Sequence, residues 1–386
     1  MNRLNYFWML MFTIVLIAST TLSSCGKDDD ETKSTNNETE QPKDQDGNKP
    51  DDAQIGNDGF INAASLADTV ANLGVGHHEL KVNGELSTTT LNSIGEILRT
   101  KYSSLIIGYS TTKKTSVASE FSVDLDLSET TGLIKLESGV SADGATYTGL
   151  AGCSALTALK LPKTLIEIES NAVGYCINLT NVTIPESVKT IADGSFFGCY
   201  KLEKNEKFPN LRGMVIEATD LGEKIKELTK GEYFIQVVGA YDNEWENEYA
   251  FYDNCSDKGI YIYLDIADVD ASKVNNFEGT DAFKGNWLKA IVWAKTAPLT
   301  EWKFSGGVSL NTVVIPASVT TIECYGLFHK CDNLKNIIIA APLGWKRIFK
   351  QKNETTGSYE EVEEPVDKLN SDMLKSGNGD KYVKDK

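Results

Sequence analysis

The residues of this 386-residue chain most able to do chemistry are its seven cysteines and three histidines. Cys153, Cys176 and Cys199 stand 23 residues apart. In an oxidising compartment such thiols could pair as disulfides. A structural zinc site would need close Cys-x-x-Cys pairs, and none occurs. A fixed long spacing has another reading, in which equivalent positions on successive turns of a repeat each fill a small buried slot. Same-facing side chains on adjacent rungs fit the disulfide torsion badly. Reduced, buried thiols are therefore expected, with disulfides as the alternative. His77, His78 and His329 lack the His-Glu-x-x-His spacing that sets two ligands on one helix face. Ser110-x-x-Lys113 has none of the companion motifs of a β-lactamase, and no nucleophile elbow or phosphate loop occurs. Asp44-x-Asp46-Gly47-Asn48 has the start of a calcium loop but not its closing Glu. The expectation is a protein without catalysis, cofactor or metal.

The net charge of −17 speaks against nucleic acid and anionic lipid, which bind basic patches. It suits a body displayed in water.

The elements that position these residues repeat. Cys153-x-x-Leu156-x-x-Leu159-x-Leu161-Pro162 returns as Cys176-x-x-Leu179-x-x-Val182-x-Ile184-Pro185. It returns again as Leu310-x-x-Val313-x-Ile315-Pro316 and Cys331-x-x-Leu334-x-x-Ile337-x-Ile339. The last two apolar residues of each phrase sit at strand spacing and face one side. One such strand has nothing to bury them against, so stability requires stacking turn on turn. The Pro closes each strand, while Val188, Ile191 and Phe196, then Val319, Ile322 and Phe328, supply the opposite wall. The fold class is an α/β solenoid: leucine-rich repeats forming a curved parallel β-sheet with short helices, in two related modules. Helical spacing places Leu66, Val70 and Leu73 on one face, and a second helix is predicted over 90–101 with Leu91, Ile94 and Leu98 inward. A strand is predicted over 123–128. Leu66 to Gly84 and Leu221 to Gly239 align without a gap, and Val123-Asp-Leu-Asp-Leu is echoed by Ile262-Tyr-Leu-Asp-Ile.

Over residues 120–205 and 260–340 these phrases resemble the BspA-like leucine-rich-repeat family. That family includes adhesins for host proteins, so the resemblance implies attachment to host or matrix protein. The third turn departs from it: Leu202 to Pro209 carries polar residues where a strand belongs, which suggests a closing cap. Sequence leaves open whether the modules stack as one solenoid or lie side by side with a hinge near Phe208-Pro209-Asn210.

Residues 1–24 have the basic start, apolar run and small-residue cleavage site of an export signal. Leu22-Ser23-Ser24-Cys25 resembles a bacterial lipobox, implying a lipid on Cys25. Lys27-Asp28-Asp29-Asp30-Glu31 resembles the surface-export tag of Bacteroides-type lipoproteins, implying an outer-membrane anchor with the protein facing outward. Residues 25–58 read as a disordered acidic tether, 59–210 as module 1, 211–345 as module 2 and 346–386 as a polar C-terminal tail in which Tyr382 and Val383 could form a short strand.

Binding is the remaining prospect. Residues alternating with the core face outward on the sheet, and repeat proteins use such faces for partners. The candidates are Thr157, Lys160, Asn181, Thr183, Thr312, Val314, Asn336 and Ile338. A second candidate is Tyr241, Trp245 and Tyr249, aromatics among acids that could stack on a glycan or anchor a protein. The expected partner is an extracellular or host protein, with a surface glycan or a structural envelope role as alternatives.

Overall fold

The computed structural model describes residues 59–105, 121–240, 254–256, 258–270, 283–355, 357–377 and 379–384. The signal, the tether with its Asp44–Asn48 stretch, Cys25 and the Tyr241–Tyr249 segment lie outside the described residues.

Module 1 runs through β1 (Ile61–Asn62), α1 (Leu66–Asn72), β2 (Gly76–Glu85), α2 (Thr88–Leu105) and β3 (Phe121–Thr131). The repeats then supply β4 (Lys135–Leu136), β5 (Leu156–Lys160), β6 (Glu167–Ile168), β7 (Asn181–Thr183) and β8 (Thr190–Ile191). β3 extends beyond the predicted strand because Phe121, Val123, Leu125 and Leu127 alternate with polar residues along its first eight positions. One parallel sheet has the order β1-β2-β3-β5-β7, and the short β4-β6-β8 forms a second. Leu125, Leu156 and Leu159 from the first meet Leu136, Ile168 and Phe196 from the opposite wall in one core. Leu91, Ile94 and Leu98 of α2 join that core. Burying each such side chain stabilises the fold by about 1.5–3 kcal/mol.

The cysteine column has a physical role in this stack. The Cys176 Sγ donates to the Leu150 carbonyl at 3.0 Å, and the Cys199 Sγ to the Val173 carbonyl at 3.1 Å. Each thiol thus fills its slot and satisfies a carbonyl of the preceding turn. Cys331 repeats the arrangement against the Phe304 carbonyl at 2.8 Å. All six cysteines in the described residues are free and buried. Burial pushes the Cys153 and Cys176 thiols well above their ordinary range and holds them protonated.

Module 2 runs through β9 (Met214–Glu217), α3 (Leu221–Glu227), β10 (Gly231–Ala240), β11 (Ile260–Asp270), β12 (Leu288–Val292), β13 (Thr312–Ile315), β14 (Thr321–Glu323) and β15 (Asn336–Ile339). Its parallel sheet has the order β9-β10-β11-β12-β13-β15. The duplication extends to irregularities of register. The β2–β3 ladder slips between Lys81 and Asn83, and β10–β11 slips at the aligned Gln236 and Val238. β3–β5 slips at Val123/Asp124 and β11–β12 at Ile262/Tyr263.

One expectation changes. The segment after residue 345 is not a polar tail: β16 (Trp345–Lys352), β17 (Tyr359–Val366), α4 (Ser371–Lys375) and β18 (Lys381–Lys384) close module 2. β18 pairs antiparallel with β14 and β16, and Trp345, Val366, Leu369, Leu374 and Tyr382 enter the module 2 core. The exposed Glu residues of β17 mask this role in the sequence. The arrangement left open by the sequence is that of separate sheets, β1-β2-β3-β5-β7 in module 1 and β9-β10-β11-β12-β13-β15 in module 2. The modules lie side by side, and the turns of module 1 pack against the outward face of the module 2 sheet.

Candidate functional site

Register places the outward residues of each sheet in cross-strand rows. In module 1 one row reads Glu79–Asp124–Ala158–Asn181, and the next Lys81–Asp126–Lys160–Thr183. The matching rows of module 2 read Phe234–Tyr263–Ala290–Thr312–Asn336 and Gln236–Asp265–Val292–Val314–Ile338. Strand order and register are the same, but the chemistry is reversed.

The module 1 face is polar and open. Lys160, Asn181 and Thr183 are exposed. The Thr157 hydroxyl donates to Asp124 Oδ1 at 2.6 Å, and Lys160 Nζ to Asp126 Oδ2 at 2.8 Å. His77 Nδ1 lies 2.9 Å from Ser122 Oγ, with its Nε2 3.5 Å from Asp124 Oδ2. Partial burial pushes the Asp126 carboxyl up, but Lys160 and the Ser128 N–H outweigh it and hold the group below its usual range. Glu79 and Asp124 stand opposite each other as like charges, an unfavourable cross-strand pair. Such a row gains from a donor or cation laid over it.

The module 2 face is covered, which corrects half of the predicted set. Thr312 and Val314 are 0% exposed, so neither can meet a separate partner. Ile338 is partly buried in the same cluster, and Asn336 Nδ2 donates to the Gly144 carbonyl of module 1. The cover is a ridge of aromatic residues flanking the cysteine column. With Cys176 and Cys199 turned into the module 1 core, Tyr175, Ile177, Phe197 and Tyr200 pack with Tyr263, Ala290, Val292 and Val314. Phe234 and Tyr263 stack at 4.3 Å, and Phe197 meets each edge-on at 5.7 and 5.8 Å. Gly194 is required here: its φ is +69°, and a Cβ would sit 2.2 Å from the Phe234 ring. The Tyr200 hydroxyl accepts the Ala317 N–H at 3.1 Å.

A buried charge cluster pins the same junction. Arg212, just after module 1, donates through Nε to Asp265 Oδ2 at 2.9 Å and through Nη1 to Asp268 Oδ2 at 2.5 Å. Lys295 Nζ reaches Asp268 Oδ1 at 2.7 Å. Burial raises the Asp265 carboxyl despite Arg212, whereas Arg212 and Lys295 outweigh burial at Asp268 and lower it.

Sequence reasoning missed Glu79, Lys81, Asp124 and Asp126 as members of the open face. Register gives the signal, since alternation along β2 and β3 sets them beside Lys160 and Thr183. A cleft of about 1010 Å³ also separates the module 1 back wall from α3 and β10. Three of its acids are paired within their own module, Glu167 and Glu169 with Lys135 and Glu227 with Lys224. Among the described residues no group of His, Cys, Asp and Glu could hold a metal, and no helix is long and apolar enough to cross a membrane.

Residues 148–221 and 247–355 match the BspA type leucine rich repeat region in six copies. A leucine-rich repeat protein of Bacteroides ovatus is similar at 12% identity and a TM-score of 0.18, over 68% of this chain and 56% of that one. This chain thus spans little more than half of that structure. A leucine rich cell surface protein of Faecalibacterium prausnitzii is similar at 13% identity and a TM-score of 0.20, over 68% of this chain and 78% of that one. No curated protein matches the chain.

Proposed function

Residues 148–221 and 247–355 are BspA-type leucine-rich repeats, and from that premise we propose that the chain binds an extracellular protein through the outward face of the module 1 sheet. One observation carries this reading. Of two sheets built to the same register, module 1 leaves Lys160, Asn181 and Thr183 exposed, whereas the matching Val292, Thr312 and Val314 are 0% exposed. The binding surface is then Thr157, Lys160, Asn181 and Thr183, extended by Glu79, Lys81 and Asp124. Repeat scaffolds present extended faces of this kind to partners. The partner class is a host or matrix protein.

The export signal and the lipobox-like Leu22-Ser23-Ser24-Cys25 support display at the outer membrane through a lipid on Cys25. Labelled palmitate should enter the wild-type chain and not Cys25→Ala; an unlabelled wild-type chain would refute the anchor.

Residues 59–386, spread over matrix proteins and mucins, should show saturable binding that survives deglycosylation of the target. Lys160→Glu with Asn181→Arg should remove it while leaving the unfolding transition in place. Binding unchanged by both substitutions would exclude this face.

A further inference from the structure

Module 2 carries its own aromatic ridge, and among the described residues nothing covers it. In module 1 the Tyr175 N–H donates to the Phe197 carbonyl, and in module 2 the Gly306 N–H donates to the His329 carbonyl. His329 therefore occupies the place of Phe197. Four residues earlier on the same two turns the Trp302 backbone N–H donates to the Tyr325 carbonyl at 3.2 Å. Phe197 is 0% exposed against the neighbouring module, but Tyr325 is 49% exposed and His329 is exposed as well.

We propose that Trp302, Tyr325 and His329 form a subsite for a pyranose ring of a neutral glycan. Trp302 has φ of +62°, the left-handed turn conformation that Asn171 adopts at the matching place in module 1, so the repeat turn itself sets where the indole projects. Part of the indole lies against Gly326, where a Cβ would approach it to 2.4 Å. Tyr325 stands at 90° to it with centroids 5.3 Å apart, and His329 at 78° and 5.8 Å. Both rings thus stand steeply to the indole plane and gather around it.

The hydrogen bonding points the same way. Trp287, Trp293 and Trp345 donate their indole N–H to the carbonyls of Lys284, Ala297 and Ala341. The Trp302 indole N–H donates to no group among the described residues. A sugar ring offers a patch of C–H groups for an aromatic face and hydroxyls for donors and acceptors at its rim. Trp302 Nε1, the Tyr325 hydroxyl and the His329 ring nitrogens supply that combination. A protein partner is less well matched. The ridge that does seat on protein is flanked by Ile177 and Tyr200 and is buried, whereas Glu301, Lys330 and Asp332 beside this one are exposed. The charge of −17 disfavours acidic polysaccharides.

The test uses the chain from residue 26 onward, titrated at millimolar sugar with cellohexaose, xylohexaose, mannohexaose and maltohexaose and read by tryptophan fluorescence and calorimetry. At least one should bind saturably. Trp302→Ala should weaken it by roughly tenfold or more, as truncation of a central aromatic anchor does. Tyr325→Ala and His329→Ala, at exposed positions, should weaken it several-fold without moving the thermal transition. Gly326→Ala should displace the indole and weaken binding while every ring remains. Asn181→Ala should have no effect on sugar, which separates this subsite from the module 1 face. The proposal fails if no sugar in the panel binds. It fails equally if binding persists in both Trp302→Ala and Tyr325→Ala. Loss of matrix-protein binding in those variants without competition by sugar would instead identify a protein-docking ridge and overturn the proposal.

Discussion

Asp126 and Asp265 occupy the same position in two sheets of the same register, and their partners separate the fates of the two modules. In module 1 the neighbouring strand supplies Lys160, so the carboxylate is answered on the face itself and the row can stand in water. In module 2 the place of Lys160 is taken by Val292, and Asp265 is answered from outside the sheet by Arg212. The row above makes the same exchange, with Glu79 and Asp124 replaced by the stacked Phe234 and Tyr263. One duplicated backbone thus presents an open face in one module and a filled socket in the other. Solenoid geometry provides the face; the side chains in its rows decide whether it is open.

That contrast can be broken from the socket side first. Phe197→Ala should cost about 3–5 kcal/mol, the usual range for deleting a fully buried ring. Urea unfolding measures it, and a cost near that of a surface change would mean that the ridge does not hold the modules together. Asp268→Asn should cost roughly 1.5–3 kcal/mol at neutral pH by weakening bonds to Arg212 and Lys295. The Asp268 carboxyl is lowered from its ordinary 3.8 by those cations, so its contribution is present above about pH 4 and is lost as pH falls further. The gap between wild type and variant should therefore be flat near neutrality and close in acid. A gap that widens in acid would contradict the assignment. Gly194→Ala should cost about 1–3 kcal/mol, since the added methyl meets Phe234 and the backbone is left-handed. The aligned experiment on the open sheet is Lys160→Ala, expected within about 0.5 kcal/mol of wild type because its ion pair is exposed. Its effect should appear in partner binding. A large stability loss there would show that the module 1 face is also structural.

Much of the architecture is legible locally. Leu156, Leu159 and Leu161 announce a strand and its core side, and the 23-residue spacing of the cysteines announces turns in which each thiol meets the turn before it. The open and filled faces are harder to tell apart. Asn181 and Thr183 read like Thr312 and Val314, because every outward position alternates with the core in the same way. The distinguishing signal lies in the aligned positions, where Glu79 becomes Phe234, Asp124 becomes Tyr263 and Lys160 becomes Val292. The closing strands 345–384 are disguised for a related reason. Their anchors Trp345, Val366, Leu369, Leu374 and Tyr382 are spread among the exposed charges of an edge.

By itself the sequence determined the repeat, the duplication, the cysteine column and the core side of each strand. These follow from period and from contacts between adjacent turns, which short-range patterning encodes. Only the tertiary structure decided which sheet faces solvent, that Arg212 answers Asp265, and that Tyr175 and Phe197 fill module 2 while Tyr325 and His329 stay uncovered. Those outcomes depend on residues tens to nearly two hundred positions apart, such as Asn336 and Gly144, whose meeting no local period specifies.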